Sequence, residues 1–143
     1  MGLELPQRRS AGRYVGAVRT GDLVFVSGAG PVGPEGMMSG KVGAEVDVAK
    51  GQEAAKRCAL NCLAALEEEL GDLDRVRRIV KVWGYVNSAP GFSQQHVVMD
   101  GASSFLLSLF GERAAHARTS VGVAGLPFGI PVEVEMVMEA EAG

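Results

Sequence analysis

Residues 117–140 read ARTSVGVAGLPFGIPVEVEMVMEA, and the fold turns on this stretch. It predicts two strands, 117–123 and 132–140, on either side of a Gly-Leu-Pro loop. In the second strand Val132, Val134, Met136 and Met138 share one face and Glu133, Glu135 and Glu139 the other, because side chains alternate along an extended chain. One face is therefore core and the other polar. In the first strand Arg118 and Ser120 stand two residues apart and point the same way. An arginine in a mostly apolar strand needs an anion. Two are open to it: a glutamate of the neighbouring strand, or a ligand carboxylate gripped by both arms of the guanidinium fork.

Upstream, Ser93 can cap a helix running to Phe110, with Gly111 as its stop and Val98, Ala102, Phe105 and Leu109 on one stripe. Gly101 inside it costs about 1 kcal/mol relative to alanine, so packing must hold that helix. Residues 79–86 form a strand with Val80, Val82 and Val86 towards a core and Lys81, Trp83 and Tyr85 on the opposite face. Asp47 caps a longer helix to Leu70, ended by Gly71, whose apolar stripe is Ala55, Ala59, Cys62, Leu66 and Leu70. Residues 14–19 and 22–27 form a hairpin around Thr20-Gly21, followed by an aperiodic Gly, Pro and Met loop over 28–43. The order strand, strand, helix, strand, helix, strand, strand is that of an α+β domain, with two helices on one face of a mixed sheet of five to six strands. Trp83, Tyr85 and the doubly apolar strand 22–27 leave the other face exposed, so the chain is expected to oligomerise through it.

Composition agrees with one soluble domain over 1–143: the chain has 143 residues, 47% of them hydrophobic and 22% charged. Cys58 and Cys62 lie at helical spacing and read as helix packing in a reduced, intracellular protein. The absence of an apolar leader or an 18-residue apolar run points to the cytoplasm and away from the membrane. Fourteen Lys and Arg against 17 Asp and Glu give a net charge of −3, which argues against a nucleic-acid partner. Gly28–Gly33 matches the dinucleotide-binding glycine pattern, but Pro31, Pro34 and Gly36 prevent the helix that pattern must open. Gly40-Lys41-Val42 lacks the features of a phosphate loop, and His96 and His116 lack the spacing of metal ligands, so neither a cofactor nor a metal is expected. Arg8, Arg9, Arg13, Arg75, Arg77 and Arg78 read as solvated.

Tyr14 with AVRTGDLVFVSG shortly after it, then ARTSVGV, then LPFGIPVEVE, resembles the Rid (reactive-intermediate deaminase) family, also called YjgF-like or endoribonuclease L-PSP. The likeness spans nearly the whole chain, and its most specific part is Arg118, Leu126-Pro127 and Val132–Glu135. It implies a chorismate-mutase-like fold, a homotrimeric barrel and clefts between subunits. It also implies hydrolysis of 2-imino acids to 2-oxo acids and ammonia without cofactor or metal. In that reading Arg118 clamps the substrate carboxylate, Glu133 orients the hydrolytic water, and Tyr14, Ser27, Gly28 and Ser120 line the cleft. Ser120 stands where the archetypal site has cysteine, and Pro90 where it has asparagine, which marks a divergent subgroup. The alternatives are a non-enzymatic module that binds 2-oxo acids and, more weakly, the ribonuclease or translation-inhibiting activity of the family's older name.

Overall fold

Residues 3–6 and 12–142 are described by a computed structural model of the chain; Arg8 and Arg9 lie outside them. Strands β1 (Ala17–Thr20) and β2 (Leu23–Ala29) pair antiparallel around Gly21-Asp22, with Gly21 at φ 59°, a value that favours glycine. The first strand is thus shorter than its apolar pattern suggests, and the turn lies one residue later than Thr20-Gly21. Two-residue strands β3 (Val32–Gly33) and β4 (Gly36–Met37) form a small hairpin within the expected loop. Helix α1 (Val48–Leu70) has the predicted ends: Asp47 Oδ1 accepts the Lys50 N–H at 2.8 Å, and Gly71, at φ 84°, donates its N–H to the Glu67 carbonyl. Its whole predicted stripe is buried.

Strand β5 (Val76–Asn87), helix α2 (Gln95–Phe110), and strands β6 (Ala117–Val123) and β7 (Val132–Ala140) complete the order. The sheet runs β1-β2-β7-β5-β6, antiparallel except for β5 and β6, which are parallel because α2 carries the chain back between them. This is the expected α+β architecture. Both helices lie on one face, α1 over β2 and β7 and α2 over β5 and β6. Between helices and sheet lie Val82, Val86, Val132, Val134, Met136 and Met138 of the strands, with Leu63, Leu66, Met99 and Leu106 of the helices.

Two glycines allow these layers to approach. A Cβ on Gly84 would stand 2.2 Å from the Met99 sulfur, and one on Gly101 would stand 2.1 Å from the Gln52 carbonyl oxygen. Gly101, unfavourable for an isolated helix, is therefore where the backbone of α2 touches that of α1.

Four further sequence readings change. The register of β5 against β7 shifts between Ile79 and Lys81, so Ile79 takes the core position and Val80 is 38% exposed. Helix α2 begins at Gln95 without a side-chain cap, so Ser93 is not its cap. Its buried residues are Val98, Met99, Ala102, Ser103, Leu106 and Phe110, while Phe105 and Leu109 are half-buried, because the helix turns its Met99 face onto Gly84 of β5. Arg75 is not a solvated charge; Nη1 donates to the Leu70 carbonyl and Nη2 to that of Glu141, tying the end of α1 to the C-terminal segment. On the face without helices, Val18, Phe25 and Val121 are exposed beside half-buried Trp83 and Tyr85.

Candidate functional site

The chemistry-bearing residues form two groups. The first lies on the open face. Glu133 of β7 stands opposite Tyr85 of β5, and a Cβ on Gly28 would meet its Oε2 at 2.9 Å. The missing side chain of Gly28 is the space that carboxylate occupies. Ser27 donates from Oγ to the Val15 carbonyl at 2.7 Å and from its N–H to that of Gly16, holding the segment after Tyr14 against β2. Tyr14 itself is exposed. Across the ladder the Tyr85 hydroxyl donates to Glu135 Oε1, and this bond with the adjoining carboxylates pushes the phenol up to about 12.

Glu133 has no hydrogen-bond partner among the described residues. Partial burial, and then the Glu135 charge, raise its carboxyl above the ordinary range. Its proton affinity is thus raised above that of an ordinary carboxylate.

The second group lies on the helix side, at the sheet edge formed by β6. Arg118 pairs in register with Val82, whose other neighbour is the core residue Met136. Its Nη1 donates to Asp100 Oδ1 at 2.9 Å and to Ser103 Oγ at 3.1 Å, and Nη2 donates to the His96 carbonyl at 3.1 Å. Ser103 Oγ also bonds His116 Nε2 at 2.8 Å, while His116 Nδ1 meets the Ala114 carbonyl. A carbonyl only accepts, so Nδ1 carries a proton, and the neutral tautomer with that proton lets Nε2 accept from Ser103. Beyond Arg118 on the same face, Ser120 Oγ is buried without a hydrogen-bond partner among the described residues.

Arg118 and Glu133 are therefore on opposite faces of one sheet. The neighbouring-strand glutamate is not the arginine's anion; that anion is Asp100 of α2. Ser27, Gly28 and Glu133 are brought together, with Tyr14 on the adjoining segment, and Arg118 and Ser120 are brought together elsewhere. Asp100, Ser103 and His116 escaped sequence reasoning. The signal that existed was the spacing of His96, Asp100 and Ser103 on successive turns of one helix face.

Other conspicuous residues have structural work. Lys41 Nζ donates to Asn87 Oδ1 at 2.8 Å and to the Ala124 carbonyl, and Asn87 Nδ2 donates to that of Ile130. The buried thiols of Cys58 and Cys62 donate to the carbonyls of Val132 and Val134, and burial pushes the Cys58 thiol well up. Gly28–Gly33 ends β2 and enters β3 without opening a helix. Among the described residues there is no cluster of three His, Cys, Asp or Glu able to hold a metal, and no helix long and apolar enough to cross a membrane.

The chain is 46% identical over 142 residues to Protein TCP17 of Trypanosoma cruzi, covering 97% of this chain and 89% of that protein. The structure of Atu1372 from Agrobacterium tumefaciens, a protein of unknown function, superposes with a TM-score of 0.91 at 41% identity, over 99% of this chain and 88% of that one. The YjgF gene product of E. coli superposes with a TM-score of 0.63 at 26% identity, over 94% of each chain. Residues 6–140 match the family described as endoribonuclease L-PSP, and with two helices on a mixed sheet and these structural neighbours, the chain belongs to that YjgF-like family.

Proposed function

We propose that the protein hydrolyses small 2-imino acids to 2-oxo acids and ammonia in clefts between subunits of a homotrimer. Arg118 would hold the substrate carboxylate on one subunit and Glu133 the water on the next. The observation that carries this reading is the division of the candidate groups over two faces of the sheet. Neither group is a complete site, and the exposed apolar face around Phe25 and Val121 supplies a surface through which copies can meet.

An imine carbon next to a carboxylate is already electrophilic, so the site needs orientation more than a side-chain nucleophile. Water adds to that carbon and gives up a proton to Glu133, whose raised pKa suits it to the task. The tetrahedral amino alcohol then takes a proton on nitrogen, the C–N bond breaks, ammonia leaves and the carbonyl of the 2-oxo acid remains. Gly28 leaves room for the carboxylate, while Tyr14 and Ser27 border it. Ser120 carries a spare hydroxyl beside the clamp, in place of the archetypal thiol.

The test is 2-oxobutyrate release from imino acid generated by a dehydratase. Arg118→Ala and Glu133→Gln should each lose about 100-fold or more in kcat/KM. Co-refolding the two inactive variants in equal amounts should restore about a quarter of wild-type activity, because random assembly leaves that share of clefts with both residues intact. No acceleration by the wild-type trimer sinks the reading. Saturable 2-oxobutyrate binding without turnover would favour the metabolite-binding alternative. The ribonuclease alternative is opposed by the net charge of −3.

A further inference from the structure

We propose that Asp100 is a specificity-determining residue that makes the Arg118 site prefer a zwitterion, a carboxylate with a cationic nitrogen beside it, over a plain carboxylate anion. The inference rests on the reading of Arg118 as a ligand clamp and adds what that clamp selects.

A guanidinium has five N–H donors. On Arg118 three are engaged, two on Nη1 by Asp100 and Ser103 and one on Nη2 by the His96 carbonyl. Nε–H and one Nη2–H remain without partners among the described residues. The engaged donors all face α2, so the guanidinium is held from one side with two donors left for a carboxylate. Asp100 Oδ1 takes the arginine, and Oδ2 has no hydrogen bond or ion pair among the described residues.

Stability does not account for this ion pair. The Asp100 side chain is 56% exposed, though that of Arg118 is only 22%, and an ion pair whose carboxylate stands in water contributes little to folding. The pair matters more to an arriving ligand, because Asp100 cancels much of the attraction that Arg118 would exert on a bare anion. A protonated 2-imino acid escapes that penalty, since its nitrogen carries a positive charge that the free Asp100 oxygen attracts. Its hydrolysis product, a 2-oxo acid, keeps the carboxylate but has lost the cation. Asp100 thus opposes retention of product while leaving substrate capture intact, a discrimination that a lone arginine lacks.

The experiment measures 2-oxobutyrate binding to the assembled protein by calorimetry, and KM for dehydratase-generated imine, in wild type, Asp100→Asn, Asp100→Glu and Arg118→Ala. Asparagine keeps an oxygen for Arg118 Nη1 and removes only the charge, so 2-oxobutyrate should bind about tenfold more tightly while KM for the imine stays the same or rises. Asp100→Glu, which restores the charge, should return binding towards the weak wild-type value. Arg118→Ala should abolish binding. Unchanged or weaker 2-oxobutyrate binding in Asp100→Asn overturns the proposal, as does absence of binding in both wild type and Asp100→Asn. Imine turnover without the binding shift would leave the hydrolase reading standing and remove Asp100 from it. The binding shift without turnover would do the reverse. Thermal denaturation of each variant separates these outcomes from misfolding.

Discussion

The two faces of β7 differ in a single alternation. Val132, Val134, Met136 and Met138 point beneath the helices and are fully enclosed, while Glu133, Glu135 and Glu139 point to the open face and stay half-buried. On the covered face every atom touches another, so a change in volume becomes a change in stability. On the open face the side chains have room, and a change there alters electrostatics and reactivity instead. Within β7, burial thus separates the residues that hold the molecule up from those left available for chemistry.

The glycines of the two faces offer the sharpest way to break this comparison. Gly101→Ala drives a methyl into the Gln52 carbonyl, and backbone cannot swing aside, so a loss of about 3 kcal/mol or more is expected in urea denaturation. Gly28→Ala also creates a contact below 3 Å, but with the end of a flexible glutamate. It should lower imine-hydrolysis kcat/KM by about tenfold, by displacing Glu133, with the urea midpoint nearly unchanged. Equal destabilisation by the two variants would refute the separation of roles.

A smaller effect sharpens it. The Glu133 carboxyl is raised in the folded protein, so its neutral form is favoured there. Its stabilising contribution is present below the ordinary carboxylate range and is lost as pH rises through the elevated pKa. Glu133→Gln carries no such penalty. The variant should melt above wild type at neutral pH, with the gap closing towards about pH 4. A gap that widens on acidification would mean the carboxylate is stabilised, not strained, at that position.

How much was legible in advance follows from which interactions are local. The boundaries of α1 could be read because Asp47 and Gly71 act on their own neighbouring backbone. Strands β6 and β7 could be read because alternation in β7 is a property of adjacent residues. Val80 was misplaced because a bulge answers to the partner strand, not to the strand's own pattern. The rotation of α2, which buries Met99 and Leu106 in preference to Phe105 and Leu109, depends on how closely Gly84 and Gly101 let it approach. At the candidate site the residues of each strand were visible as chemical types, but the anion for Arg118 was not, since Asp100 is separated from it by the whole turn from α2 into β6.

By itself, then, the sequence determined the two helices, the strands of the main sheet, the two faces of β7 and the presence of an uncovered apolar face, because those depend on periodicity within a few residues. Only the tertiary structure decided that Arg118 and Glu133 belong to different faces, that Asp100 occupies the arginine, and that Gly28 makes room for Glu133. These depend on the register between strands distant in sequence and on the azimuth of a helix above them. Register and azimuth are set by the packing of all the layers together, and no local run of residues encodes them.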